Sequence, residues 1–218
     1  MRLSRGNLIL PLLLLFFTLS SIFLPISLYA QESEGFGDIE AGINLMGQHE
    51  YEKALEHFNK AVRANPKNPR AHFFQATALY WLKRYQEADT ALDKARRYND
   101  QNYLIWYYKG KVANAQKRYK TALAYFEKSI EYNPVYKESW FEKGLILFGM
   151  KQYRACIGTM GRVIGLDNTD GRAYCIMGMA YFWLGDMQKS KSYISKGLSL
   201  NPSYKDKIPD RIKKAVGL

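Results

Sequence analysis

One feature of the sequence constrains the fold more than any other, namely a glycine that recurs at intervals of 34 residues. The positions are Gly110, Gly144 and Gly178, with Gly42 further upstream and Ala76 between them in the same register. A fixed period of this length indicates that one helix-turn-helix unit has been copied several times. Stacked helical units form extended surfaces, so the period favours an interaction protein over an enzyme.

Other residue types recur in the same register. Four further rows at 34-residue steps are Tyr51, Tyr85, Tyr119 and Tyr153; Ala54, Ala88, Ala122, Cys156 and Ser190; Phe58, Leu92, Phe126, Met160 and Ile194; and Ala61, Ala95, Ser129, Val163 and Gly197. Two antiparallel helices approach closely only where their side chains are small. We therefore expect the glycine row of each first helix to cross the small row of its second helix, while the large apolar row fills the space beside the crossing.

Asparagine-proline pairs recur at the ends of three copies, at Pro66, Pro134 and Pro202. Proline disfavours helical geometry in the residue before it and clashes with a helix that continues through it. Each pair therefore predicts the end of a second helix.

The third copy resembles the signature of the tetratricopeptide repeat, with the residues Trp106, Gly110, Tyr119, Ala122, Phe126 and Pro134 in the slots of that family. The resemblance extends over about residues 37–202, although Asp38 and His72 stand in the tryptophan slot of the first two copies. It implies an all-α fold, an α-solenoid of five tandem helix-turn-helix repeats with a capping helix at the C-terminus.

The predicted organisation is a repeat domain over residues 37–202 followed by a terminal helix. The five copies cover about residues 37–68, 69–102, 103–136, 137–170 and 171–202. In residues 203–218, Tyr204, Ile208, Ile212 and Val216 follow one another at steps of four, with basic residues between them. This amphipathic pattern predicts a helix that caps the last repeat, and a helix lying on a membrane surface is the alternative.

Residues 1–30 have the composition of a targeting segment. Arg2 and Arg5 precede a long apolar stretch, and Ala30 offers a cleavage point, as in a secretory signal peptide. The apolar stretch is also long enough to remain as a membrane anchor. Either alternative predicts export, to the periplasm or the cell envelope, with secretion as a further alternative. Residues 31–36 are expected to form a mobile leader.

The chain is basic, with a formal net charge of +12. An exported basic protein can meet anionic lipids, acidic glycans or acidic proteins, whereas its predicted compartment disfavours nucleic acid. Since lysine and arginine are spread along the repeats, the charge is also compatible with a solvated exterior that has no specific partner.

The sequence contains no constellation that indicates catalysis. His49, His57 and His72 lack the spacing of a zinc site, and no nucleophile elbow or glycine-rich phosphate loop is present. We therefore predict no enzymatic activity, no cofactor and no metal. Cys156 and Cys175 are expected to be two free thiols, because the first faces the crossing within its own repeat and the second faces the groove; a bridge, which an oxidising compartment would permit, is the alternative.

The resemblance implies that the first helices line a concave groove. The predicted partner-binding residues are Phe73, Tyr80, Trp81, Tyr107, Lys111, Phe141, Leu145, Phe148, Met179, Phe182 and Trp183. These residues make the expected groove apolar and aromatic. Lys111 and Asn114 do not complete the clamp by which some members of the family hold a peptide's terminal carboxylate.

The sequence therefore predicts a non-enzymatic scaffold that binds an apolar or amphipathic segment of another protein along this groove. Burial of the rings within the chain itself and homo-oligomerisation through the groove remain open. Two further alternatives are a carrier of lipid or another small hydrophobic ligand, and a membrane-tethered structural or assembly protein.

Overall fold

The computed structural model describes residues 35–218, so the predicted signal or anchor and most of the predicted leader lie outside the described residues. The α-helices in this part are α1 (Phe36–Gly47), α2 (Tyr51–Ala64), α3 (Pro69–Trp81), α4 (Tyr85–Tyr98), α5 (Tyr103–Ala115), α6 (Tyr119–Tyr132), α7 (Lys137–Gly149), α8 (Tyr153–Leu166), α9 (Gly171–Trp183), α10 (Met187–Leu200) and α11 (Asp210–Val216). A short 3-10 helix, Pro202–Lys207, precedes α11. Helix α1 begins at Phe36, the last residue of the predicted leader.

The predicted fold class is confirmed, an all-α chain of tandem helix-turn-helix repeats with a C-terminal capping helix. First and second helices alternate along the sequence from α1 to α10. By its internal contacts the described part of the chain divides into two compact units, unit 1 ending at residue 84 and unit 2 spanning residues 85–218. The described part of unit 1 holds α1 to α3, and unit 2 holds α4 to α11.

The glycines lie where the two helices of a repeat approach, but they face the large apolar row, whereas the prediction placed them opposite the small row. A Cβ added to Gly42 would lie 2.4 Å from the Phe58 ring, and one added to Gly110 would lie 2.7 Å from the Phe126 ring. The small row of the second helices is fully buried at Ala54, Ala88, Ala122, Cys156 and Ser190. These glycines therefore allow the large apolar row to pack against the first helix.

Each repeat is also fixed at its ends. Helices α2, α6 and α10 end directly before the asparagine-proline pairs, as expected. The side chain in the tryptophan slot contacts the preceding turn, because the Nε1 groups of Trp106 and Trp140 donate to the carbonyl oxygens of Asp100 and Pro134 at 2.6 and 2.9 Å. This contact gives the tryptophan slot a structural role that the sequence pattern alone did not reveal.

The turn between the two helices of each repeat contains a residue in the left-handed region. These residues recur every 34 positions, at His49, Lys83, Lys117, Lys151 and Gly185, with φ between 60° and 85°. Only the last of them is glycine, the residue that adopts this region without steric cost. The other four turns therefore carry local backbone strain.

Lys151→Gly is expected to raise the free energy of unfolding by up to about 1 kcal/mol, because it relieves the left-handed strain. The reciprocal change Gly185→Lys should lower it by a similar amount. Urea denaturation followed by circular dichroism measures both variants, and a Lys151→Gly variant with a lower midpoint than the native chain would contradict the assignment of strain to this turn.

The C-terminal segment covers the apolar end of the last repeat. Ile208, Ile212 and Val216 are buried in the same core cluster as Ile194 of α10, and Tyr204 packs against that cluster. The capping role predicted for residues 203–218 is therefore observed, with the regular helix confined to α11. Within residues 35–218 no helix combines the length and apolar character that a membrane span requires.

Both cysteines are free and fully buried, as predicted for their redox state. The expectation that Cys175 faces the groove is wrong, because its Sγ packs against α10 where Gly197 leaves room for it. Burial raises the pKa of the Cys156 thiol to about 12 and that of Cys175 to about 11. Neither thiol is therefore a reactive nucleophile at neutral pH.

Candidate functional site

The candidate site in unit 2 is the face formed by its three first helices, α5, α7 and α9, which we call the first-helix face. Three of the predicted binding residues on these helices, Tyr107, Phe141 and Met179, are at least nine-tenths buried. Tyr107 packs on the rings of Phe126 and Tyr136, with centroid distances of 5.8 and 5.2 Å. These three side chains therefore support the face from beneath and are not themselves exposed to a partner.

Other predicted residues do reach the surface of this face. Leu145 and Phe148 on α7 and Phe182 on α9 are half-buried and pack on the core with one side only. Trp183 is exposed over about two fifths of its surface. Half-buried apolar side chains on consecutive first helices form a surface that can take up an apolar segment.

Unit 1 shows a similar division among its predicted residues. Phe73 is buried, Tyr80 is half-buried and Trp81 is 47% exposed. The Trp81 ring stacks on Tyr51 with a centroid distance of 5.7 Å, so one side of the exposed indole is already covered.

A row of charged side chains crosses the first-helix face, and of its three members only Lys111 was among the predicted binding residues. Glu142 of α7 is mostly buried, and this burial raises the pKa of its carboxyl group, while the charges of Lys111 on α5 and Arg172 on α9 oppose the rise. Across the three first helices the charged row is therefore a cation (Lys111), a carboxylate (Glu142) and a second cation (Arg172). Glu142 directly follows the predicted Phe141 in the sequence, but the prediction favoured apolar residues and did not include it.

Arg172 is held in place by groups around the start of α9. Its guanidinium donates to both carboxylate oxygens of Asp170, at 2.9 and 2.6 Å, and lies 4.4 Å from the centroid of the Phe141 ring. Burial alone would raise the pKa of Asp170, but Arg172 and the charge of Lys137 outweigh burial and keep it below its usual value. The Arg172 end of the charged row is therefore held by an ion pair and a ring contact.

A pocket of about 280 Å³ opens beside the first-helix face, between α5, α6 and α7. Its lining is Asn114, Tyr119, Leu145, Ile146, Gly149 and Met150. Only Leu145 belongs to the predicted binding residues. The pocket therefore extends the apolar surface of α7 towards the start of α6, where the sequence analysis assigned no site.

Comparison with known sequences agrees with this geometry. Models described as tetratricopeptide repeat match residues 45–109, and also residues 103–136 and 171–204, which together make up more than half of the chain. The chain therefore belongs to the tetratricopeptide repeat family, as its residue pattern indicated. A curated relative, uncharacterized protein MJ0572 of Methanocaldococcus jannaschii, is 47% identical over 47 residues, and this chain spans 55% of its length.

Solved structures with the same fold include MamA from Desulfovibrio magneticus RS-1, with a TM-score of 0.70 and 22% identity over 79% of this chain and 98% of that one. YrrB, described as a TPR protein with an unusual peptide-binding site, has a TM-score of 0.67 and 20% identity, over 89% of this chain and 97% of YrrB. TTC0263, a thermophilic TPR protein of Thermus thermophilus, has a TM-score of 0.63 and 16% identity, over 84% of this chain and 100% of TTC0263. At these identities the likeness establishes the fold alone.

Proposed function

We propose that this chain is a non-enzymatic scaffold that binds an amphipathic segment of another protein on the first-helix face. The observation that carries the proposal is the pairing of half-buried Leu145, Phe148 and Phe182 with the charged row Lys111, Glu142 and Arg172. An apolar surface crossed by fixed charges suits a helix or peptide that has both kinds of side chain. YrrB, a structural neighbour, is described as having a peptide-binding site.

The charges also distinguish this proposal from a lipid carrier. A carrier for an acyl chain or similar ligand would be expected to enclose it in an apolar cavity. The pocket beside α7 is about 280 Å³, at the lower limit of the roughly 300–1,000 Å³ usual for small-molecule sites. A protein segment, which can lie across several helices at once, fits the observed surface better.

The predicted export is part of the proposal, and it rests on residues 1–30. Arg2 and Arg5 followed by an apolar stretch and Ala30 are the supporting features. The intact mass of the protein recovered from the cell envelope tests this part. A mass that corresponds to a chain beginning at Gln31 would support cleavage, a full-length membrane-bound chain would support a retained anchor, and a full-length cytoplasmic chain would contradict export.

Photo-crosslinking tests the binding face. A photoreactive residue at Leu145 or Phe148 should form crosslinks to a partner segment, because both positions lie on the proposed face. The matched controls are Tyr132 and Leu166, which are exposed on the second helices α6 and α8. Crosslinks that are equally abundant at the control positions, or confined to them, would contradict the assignment of binding to the first helices.

A further inference from the structure

Two tryptophans of the chain occupy the same slot and make the same contact. In unit 1, Trp81 stacks on Tyr51 with a centroid distance of 5.7 Å and an interplanar angle of 9°. In unit 2, Trp183 stacks on Tyr153 at 6.2 Å and 11°. In both cases the tyrosine begins a second helix, and the tryptophan lies 30 residues later, at the end of the next first helix.

The same slot between the third and fourth repeats is empty. Tyr119 begins α6, and the residue 30 positions later is Gly149, the last residue of α7. A Cβ added to Gly149 would meet no atom within 4 Å, and Tyr119 is 43% exposed. The pocket of about 280 Å³ lies at this place and includes both residues in its lining. It therefore lies where an indole stands in the slots of Tyr51 and Tyr153, whereas the slot of Tyr85 holds Ala115.

The short segments that line this pocket carry basic residues and no acidic ones. Residues 114–120 and 145–151, which supply its lining, contain no acidic residue, and their cations are Lys117, Arg118, Lys120 and Lys151, of which Arg118 lies 3.4 Å from Asp89. Lys120 and Lys151 directly follow lining residues in the chain and Lys117 lies two residues before Tyr119; all three are exposed and form no ion pair among the described residues. A partner that approaches the pocket thus meets unneutralised positive charge.

We propose that the Tyr119–Gly149 pocket accepts an aromatic side chain of a partner protein, with tryptophan the best fit, from a segment whose flanking residues are acidic. The inference rests on the proposed function and names the chemistry of the segment that is recognised. The partner's ring stacks on Tyr119 as Trp183 stacks on Tyr153, while Leu145 and Met150 contact its remaining surface. Carboxylates on either side of the ring reach the exposed lysines.

The probe for a direct test is the acetylated and amidated peptide Asp-Glu-Trp-Glu-Asp, with Asp-Glu-Ala-Glu-Asp as its control. In a titration followed by NMR, the tryptophan peptide should shift the backbone amide signals of residues around Tyr119 and Gly149. Its dissociation constant should be about tenfold lower than that of the alanine peptide, because stacking contributes the difference.

Two variants of the full chain complete the test. Gly149→Trp should place its own indole on Tyr119 and abolish the preference for the tryptophan peptide, and its circular dichroism should match that of the native chain. Tyr119→Ala, at an exposed position, should weaken binding of the tryptophan peptide about tenfold without an added ring. Tyr153→Ala is the control, since Tyr153 already stacks on Trp183 and does not line the Tyr119–Gly149 pocket, and it should bind the peptide as the native chain does.

Equal affinity for the two peptides, or an unchanged preference in Gly149→Trp, would overturn the inference. Binding that requires the ring but ignores the acidic flanks, measured with Ser-Ser-Trp-Ser-Ser, would overturn the acidic part. The proposed function is tested separately by crosslinking at Phe148. Crosslinks at Phe148 that persist in Gly149→Trp would show a working binding face without an aromatic pocket, whereas their absence from the native chain would contradict the proposed function itself.

Discussion

Replacing Gly178 by alanine should lower the free energy of unfolding by about 3 kcal/mol, because the added methyl group has no space. An alanine Cβ at this position would lie 2.7 Å from Cγ1 of Ile194 and 2.9 Å from both the backbone nitrogen of Ile194 and the carbonyl oxygen of Ser190. Two of these three atoms belong to the backbone of α10. Relief of the overlap therefore requires the two helices to separate, and a side-chain rotation cannot supply it.

The matched control is Gly158→Ala in the interior of α8. Gly158 is exposed, and a Cβ there would meet nothing within 4 Å, so alanine should raise the stability by about 1 kcal/mol through its better helix propensity. Urea denaturation of the two variants gives opposite shifts if the glycine row marks a close crossing. Midpoints that move in the same direction by similar amounts would contradict that role for Gly178.

Removing both carboxylates that hold Lys109 should destabilise unit 2 by about 3–5 kcal/mol, whereas removing the lysine should cost far less. The Lys109 side chain is almost fully buried, and its ammonium donates to Asp89 and Asp93 at 2.8 and 2.9 Å. Burial would lower its pKa, but these hydrogen bonds outweigh burial and raise the pKa, so the group is charged at neutral pH. Asp89→Ala/Asp93→Ala leaves that charge without its partners.

Lys109→Met is the informative comparison for this ion cluster. Methionine fills similar volume without a charge, and Asp89 and Asp93 keep access to water, with Arg118 3.4 Å from Asp89. We expect Lys109→Met to lower the free energy of unfolding by no more than about 1 kcal/mol. Calorimetric or urea unfolding of the two variants measures the asymmetry. A Lys109→Met variant that is as unstable as the double aspartate variant would show that the lysine contributes net stability and would contradict this account.

The repeat pattern predicted the fold because each slot recurs with the same geometry. The buried small row and the asparagine-proline pairs lie where that pattern placed them, while the glycine row meets the large apolar row instead of the small row. Exposure was harder to predict, since it depends on neighbours outside the slot. Tyr107 is buried because Tyr136 and Phe126 pack on it, although its slot faces the groove in the family.

The pocket between Tyr119 and Gly149 could not be predicted from the sequence either, because it too depends on neighbouring residues. Gly149 carries no signal in the sequence, because it belongs to no glycine row and ends a helix. Its meaning depends on Tyr119, and that relation becomes visible only after the stacked pairs Tyr51–Trp81 and Tyr153–Trp183 are seen in space. Residues 30 positions apart are in contact across neighbouring copies. Residues 34 positions apart occupy equivalent places in successive copies.

Binding of a protein segment by the first helices of unit 2 can be observed in atomic detail. The most direct measurement is a crystal structure of the chain with the segment that crosslinks to Phe148. We predict apolar side chains of that segment against Leu145 and Phe148, and opposite charges beside Lys111 and Arg172. A segment bound instead on the outer sides of the second helices α6, α8 and α10, with the first-helix face left in solvent, would contradict the claim.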